Sequence, residues 1–479
     1  MRKVTLFPSL LLLGSLSLTT ACSTTHSAGS ATAAAQGATA SPAAAPTVDP
    51  TRIKGLTIVN DSSNDRSCPW ATSYPSVPGA EAATAAMKKD VDSYLADYLG
   101  TDAAGQSTGC GSGSGASQVP ELNISFVFLV ASGDVLGVRL LTQDHTGTGD
   151  GLSTKTYWYD GAAHAAVAAS GLVADGSRPA FLAAVKAQLK QREGSDPALV
   201  AGLRAADIDD ASFTSDGALK LSFDRGTVGV PAGGRMTVVL PRATVTPWLS
   251  AFGRRAQQQT VKPGGTLDLG ATGTPTAAVP TETASGTDTT DCAKVKCIAL
   301  TFDDGPAVTY TATLLKYLAQ YKARVTFFTV GQNVAAHPEL VRAEARAGHE
   351  VGNHSWSHPD LTRLTTAQVK QQLDRTSAAI KAATGTAPTL FRPPYGAVDA
   401  QVKAATTLSP VLWDVDTEDW KYRDAAKVAR TVIDKASRND VVLMHDIHPT
   451  SVAAVPEILK TLTAEGYRFV TVSHLRATL

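Results

Sequence analysis

The chain has 479 residues, 43% apolar and 18% charged, which gives room for two or three domains and argues for packed cores rather than wholesale disorder. Its 43 basic and 43 acidic residues cancel, and the isoelectric point is near 7.1. No electrostatic case for a nucleic-acid partner follows.

The chain opens with the make-up of an export signal: Arg2 and Lys3, an apolar run over residues 6–18, then Thr19-Thr20-Ala21-Cys22. The run is too short for a lasting membrane span. The small residue before Cys22 resembles a bacterial lipobox, which implies a signal over residues 1–22 and a diacylglyceryl anchor on Cys22. Thr19 departs from the aliphatic residue usual at that place, and ordinary secretion is the alternative. Setting Cys22 aside leaves four of five cysteines for an oxidising compartment. Cys292 and Cys297 are close in sequence and would staple the start of the last domain; Cys68 and Cys110 would then pair by elimination. The expected location is the outer face of the cytoplasmic membrane or the wall of a Gram-positive bacterium. Residues 23–50 are nearly all Ala, Ser, Thr, Gly and Pro, too poor in bulky apolar groups to offset ordering entropy, and read as a tether.

Residues 51–256 alternate strand-like runs (122–130, 135–141, 218–223, 236–240) with helix-like ones (83–99, 179–191), a pattern that predicts an α+β accessory domain with an antiparallel sheet. The order Tyr74-Pro75, a strand pair, the run Thr156 to Asp160, then residues 213–240 with the turn Val230-Pro231-Ala232-Gly233-Gly234, resembles the extracellular domain of lysozyme-sensing anti-sigma factors. That resemblance implies a wall or lysozyme-like ligand. The region shows no metal or nucleophile constellation, and Trp158 is expected in the core. A second small-residue stretch, 257–290, reads as a flexible linker.

From residue 291 to 479 the pattern changes to alternating strand and helix, with strands expected at 298–302, 325–330, 349–352, 389–391, 411–415, 441–444 and 468–472. A helix over 365–383 opens with the capping box Thr365-x-x-Gln368 and stops before Gly385. Such alternation implies a parallel sheet or barrel. Asp303-Asp304, His354, Arg392, Asp416 and His445 each fall at or just past the C-terminal end of a predicted strand, where barrels collect their sites.

His354 and His358 are four apart, so both imidazoles can face one point, and Asp304 adds a carboxylate. Such a set leaves positions open on a divalent metal, zinc by default, with cobalt, nickel or manganese as alternatives. Two adjacent carboxylates ligate one ion poorly, so Asp303 needs another task. An ordinary turn is the bland reading of Asp303-Asp304-Gly305-Pro306; its place after an apolar strand argues against that.

The segments Thr301 to Pro306, His354-Ser355-Trp356-Ser357-His358, Arg392-Pro393-Pro394-Tyr395-Gly396 and Leu443-Met444-His445-Asp446 resemble the signature of the polysaccharide deacetylases, the NodB-like domain of carbohydrate esterase family four. The resemblance covers residues 292–479 and implies a distorted (β/α) barrel of about seven strands. It implies that Asp304, His354 and His358 hold the metal, that Asp303 is the general base and that Arg392 orients it. The backbone N–H of Tyr395 would face the oxyanion, His445 would be the general acid, and Asp416 would orient it. Trp420 and Leu443 would form the apolar slot around the acetyl methyl and sugar face. His448, His337, His349 and His474 have no part in this set. The implied reaction is removal of N-acetyl groups from a polysaccharide, with the N-acetylglucosamine or N-acetylmuramic acid of peptidoglycan as the expected substrate. Chitooligosaccharides and acetylxylan are the alternatives, and a wall-binding or lysozyme-binding protein with a vestigial hydrolase domain is the alternative of another class. A membrane tether favours the cell's own wall.

Overall fold

Residues 122–144, marked in the sequence as two strands, form the centre of a six-stranded sheet running in sequence order. Its strands are β1 (Thr57–Ser63), β2 (Trp70–Ser76), β3 (Leu122–Ser132), β4 (Val135–Asp144), β5 (Leu152–Asp160) and β6 (Ala165–Val167). All neighbours are antiparallel except β2 and β3. The computed structural model of the protein describes residues 48–100, 110, 119–145, 151–270 and 287–479. Cys22, the expected tether up to residue 47 and the linker segment 271–286 lie outside them.

The helix Glu81–Leu99 covers this sheet with Ala83, Met87, Val91 and Tyr98, spaced by one or two helical turns so that they share one face. A smaller antiparallel sheet of β7 (Asp210–Phe213), β8 (Leu219–Phe223) and β9 (Met236–Leu240) completes the α+β region. Trp158 is core, as expected: it is 1% exposed, its Nε1–H donates to the Ala211 carbonyl at 3.1 Å, and Phe213 and Phe252 meet it edge-on. The helix Ala251–Val261 runs through residue 257, where the sequence suggests a linker, and Leu269 is still buried against this region. The disulfides Cys68–Cys110 and Cys292–Cys297 are both formed.

The C-terminal region is a parallel sheet in the order β14-β13-β12-β11-β10-β16-β15, with β17 beside β10. Its strands are β10 (Lys296–Asp303), β11 (Thr326–Thr329), β12 (Glu350–Asn353), β13 (Leu390–Phe391), β14 (Ser409–Pro410), β15 (Val415–Asp416), β16 (Val441–His445) and β17 (Tyr467–Phe469). Every pairing is parallel. The sheet is a half-barrel, and β10 at its centre is buried on both faces, which explains its unbroken apolar run. The helix Thr366–Thr384 has the expected reciprocal cap between Thr365 and Gln368 and ends on Gly385 at φ 84°.

Of the strand expected at 411–415 only Val415 belongs to one, β15. Residues 411–414 instead cross from one sheet edge to the other: Val411 N–H donates to the Phe391 carbonyl and Asp414 N–H to the Val441 carbonyl, both at 2.9 Å. The carbonyls of Val411 and Leu412 accept from the Arg392 guanidinium at 3.3 Å each.

Candidate active site

Register builds the site. Asp303 at the end of β10 lies opposite His445 at the end of β16 and Phe328 on β11. Asn353 pairs with Phe391, so His354 and Arg392 leave the sheet together one residue later. Backbone geometry then aims the side chains. Asp304, Ser355, His358 and Tyr395 all sit at positive φ, between 58° and 73°, a concentration of left-handed non-glycine residues that turns and functional sites carry. Gly305 follows because a Cβ there would run into the Asp446 carboxylate.

Asp304, His354 and His358 converge: one ligand atom from each lies within 4.8 Å of the others. Nε2 of His354 and Nε2 of His358 are each 3.4 Å from Asp304 Oδ1, which is buried and accepts no hydrogen bond. His354 Nδ1 is 2.7 Å from the Arg392 carbonyl, so Nδ1 carries the proton and Nε2 keeps its lone pair. An orphaned carboxylate oxygen facing two imidazole lone pairs fits a divalent cation, and the donor set suits zinc or its first-row neighbours. Burial works against the Asp304 charge, yet the two imidazoles hold it well below the usual carboxylate range. Burial pulls His358 down to about 4, which keeps it neutral as a ligand.

Asp303 and Arg392 form a second buried unit. Arg392 Nη1 is 2.8 Å from Asp303 Oδ1 and 2.6 Å from Thr301 Oγ1, and its guanidinium stacks 4.4 Å from the Phe328 ring centre. Arg392 is 0% and Asp303 1% exposed. Removing one member of such a buried pair is costly, because the other is left without its partner.

His445 and a carboxylate form the third unit, and here the sequence expectation is corrected. Asp419, not Asp416, meets the imidazole: Asp419 Oδ1 is 2.7 Å from His445 Nδ1, and Oδ2 accepts from the His445 N–H at 2.8 Å and from Ser451 Oγ at 2.5 Å. Asp416 turns back to accept the N–H of Glu418 at 2.8 Å. Both carboxylates belong to Asp416-Thr417-Glu418-Asp419-Trp420, and the helical turn Asp419–Tyr422 aims only the second inward. Burial lowers His445, but the Asp419 charge outweighs it and holds the imidazole up to about 9. In the same pair burial raises Asp419, and His445 brings it to about 2.

Tyr395 is buried, with its ring edge-on to His358 at 4.8 Å. Leu443 shares register with Thr301, on the strand face that carries Asp303, and its carbonyl accepts from Thr417 Oγ1 at 2.9 Å. Trp420 is half-buried beside Asp419. His448 is kept out of the ligand set: burial holds it neutral at about 3, with its ring 5.8 Å from that of His445. Four residues with no sequence signal also reach the rim from the α+β region: Asn60, Ser62, Asn64 and Asn123.

Fold and site together define an open parallel half-barrel with a two-histidine, one-carboxylate cluster that fits a cation, between a buried Asp–Arg pair and a buried His–Asp pair. Residues 290–409 match the model of the polysaccharide deacetylase family. A peptidoglycan-N-acetylglucosamine deacetylase of Bacillus cereus is 39% identical over 187 residues, 36% of this chain and 68% of that protein. The peptidoglycan-N-acetylglucosamine deacetylase PgdA of Listeria monocytogenes is 46% identical over 180 residues, 38% of this chain and 39% of that protein, so the match spans well under half of that relative. The solved structure of the peptidoglycan deacetylase PdaC from Bacillus subtilis is 43% identical over 39% of this chain and 92% of that one, with a TM-score of 0.38. The chain belongs to the polysaccharide deacetylase family.

Proposed function

We propose that residues 291–479 hydrolyse the N-acetyl groups of a cell-wall polysaccharide, with N-acetylglucosamine of peptidoglycan as the substrate sugar. The observation that carries this is the meeting of Asp304, His354 and His358 between Asp303–Arg392 on one side and His445–Asp419 on the other. The named activities of the Bacillus and Listeria relatives support the substrate.

Asp304, His354 and His358 would hold a divalent ion, zinc by its donor set, which when bound supplies Lewis acidity toward water and the acetamide carbonyl. Asp303 takes a proton from the attacking water, and Arg392 holds that carboxylate aimed. The backbone N–H of Tyr395, presented by the stiff Pro393-Pro394 turn, donates to the developing oxyanion. His445 gives its Nε2 proton to the departing amine while Asp419 fixes the ring through Nδ1, so water is consumed and acetate and a free amino sugar are released. Leu443 and Trp420 supply apolar surface for the methyl and the sugar face. The export-signal pattern and Cys22 in the sequence support a position at the outer membrane face, within reach of the cell's own wall.

Purified protein should release acetate from N-acetylated glycan and contain one divalent ion per chain. Muropeptides from cells with and without the protein should differ by the mass of acetyl groups. Identical muropeptide masses would remove peptidoglycan as the substrate.

A further inference from the structure

The groups assigned to the chemistry are assembled, and all of them are buried. Asp303, Asp304, His354, His358 and His445 are each at most 5% exposed. The crevice between β1 and Asp304 and His358 is about 20 Å³, of the order of one water.

What fills the rim is β1 of the α+β region. Alternate residues of a strand share a face, and on β1 and the residue after it that face is Asn60, Ser62 and Asn64. Asn60 Nδ2 donates to the Asp304 carbonyl at 3.4 Å, Ser62 Oγ donates to Asp304 Oδ2 at 2.6 Å, and Asn64 Nδ2 lies 3.0 Å from His445 Nε2. Asn64 therefore sets a carboxamide nitrogen against the ring atom that must face the leaving nitrogen of an acetamide. Ser62 takes the Asp304 oxygen that the two histidines do not face, so the cation site stays whole beneath it.

The clamp is polar. Asp61 Oδ1 pairs with Arg423 Nη2 at 2.5 Å, and Asn123 Nδ2 donates to the carbonyls of Ser357 and His358 at 2.9 and 3.0 Å. β1 is also the edge strand of its sheet, hydrogen-bonded only to β2 among the described strands. Polar contacts of this kind exchange readily for water or sugar hydroxyls, whereas a permanent interface is apolar.

We propose that β1 and Asn64 are an autoinhibitory plug: the enzyme folds metal-competent but shut, and an N-acetylated glycan enters only when this segment lifts from the rim. The proposal deepens the deacetylase reading and rests on it.

The test uses the full chain and soluble N-acetylated chitotetraose. Wild type, Asn64→Ala and Asp61→Arg, which sets a cation against Arg423, are compared by calorimetric binding, acetate release, zinc content and amide hydrogen exchange over residues 57–64. In the variants exchange should rise, the sugar should bind about tenfold more tightly, the scale of one or two lost hydrogen bonds, and kcat/KM should rise in step at unchanged zinc content. Faster exchange with unchanged or weaker sugar binding overturns the plug. Tighter binding with no acetate from any form leaves the plug standing and removes the deacetylase reading instead. Should the strand stay seated in both variants, D61C/R423C joined by a short thiol cross-linker decides the matter. The bridged chain should bind and turn over at least tenfold less than the same chain unbridged, and equal binding would overturn the proposal.

Discussion

His445 and Asp419 form a sealed pair: imidazole Nδ1 and carboxylate Oδ1 are 2.7 Å apart, and neither residue is more than 1% exposed. In metal-free protein an NMR titration should find the His445 ring protonating near pH 9. Asp419→Asn removes the largest influence that raises it, leaving burial opposed only by the charges of Asp303 and Asp304, so the value should fall. The alkaline limb of acetate release should move acidward with it. A value held near 9 in that variant would mean another group sustains the imidazolium.

The same pair makes stability depend on pH. His445 is raised from 6.5 to about 9, so its contribution is whole below 6.5 and is lost as pH climbs through 9. Asp419 is lowered from 3.8 to about 2, so its share is whole above 3.8 and is lost as pH falls through 2. Denaturant melts of wild type should therefore lose stability relative to Asp419→Asn above pH 7. Parallel pH profiles would contradict the linkage.

Metal and base should separate by mutation. His354→Ala should lose bound zinc and turnover together. Asp303→Asn should keep zinc while slowing acetate release by about 10²- to 10⁴-fold, the usual effect of one lost proton-transfer group. Wild-type turnover in Asp303→Asn would reassign the base.

Arg392→Ala should destabilise the fold as well as the chemistry. It leaves the Asp303 carboxylate buried at 1% exposure without its cation and frees three acceptors, Thr301 Oγ1 and the carbonyls of Val411 and Leu412. Breaking a buried pair from one side costs about 3–5 kcal/mol, readable as a lower urea midpoint. An unchanged midpoint would show that water replaces the guanidinium.

Cys22→Ser should shift the protein from the membrane fraction to the medium, since a diacylglyceryl group supplies the two chains that stable anchoring takes. Retention in the mutant would indicate an uncleaved signal.

Local chemistry was legible in the chain itself. Adjacent residues announce the Thr365–Gln368 cap, the stop at Gly385 and the close cysteine pair 292–297, because the partners lie within a few residues of one another. The rim motifs were legible for a related reason. In a parallel sheet each strand ends on the same side, so a polar residue after an apolar run carries its own address.

Three features belong to the tertiary structure alone. Residues 411–414 look like a strand by apolar content, but they cross from one sheet edge to the other, and Arg392 meets the carbonyls of Val411 and Leu412 on the way. Asp416 and Asp419 are chemically equivalent in the chain, and only the turn beginning at Asp419 decides which faces His445. Ser62 lies 242 residues from Asp304, and its alternation of small polar residues is that of any edge strand. Its meaning depends on which surface that edge is folded against, and that is set by the packing of two sheets, a sum of many weak long-range contacts that no single stretch of sequence encodes.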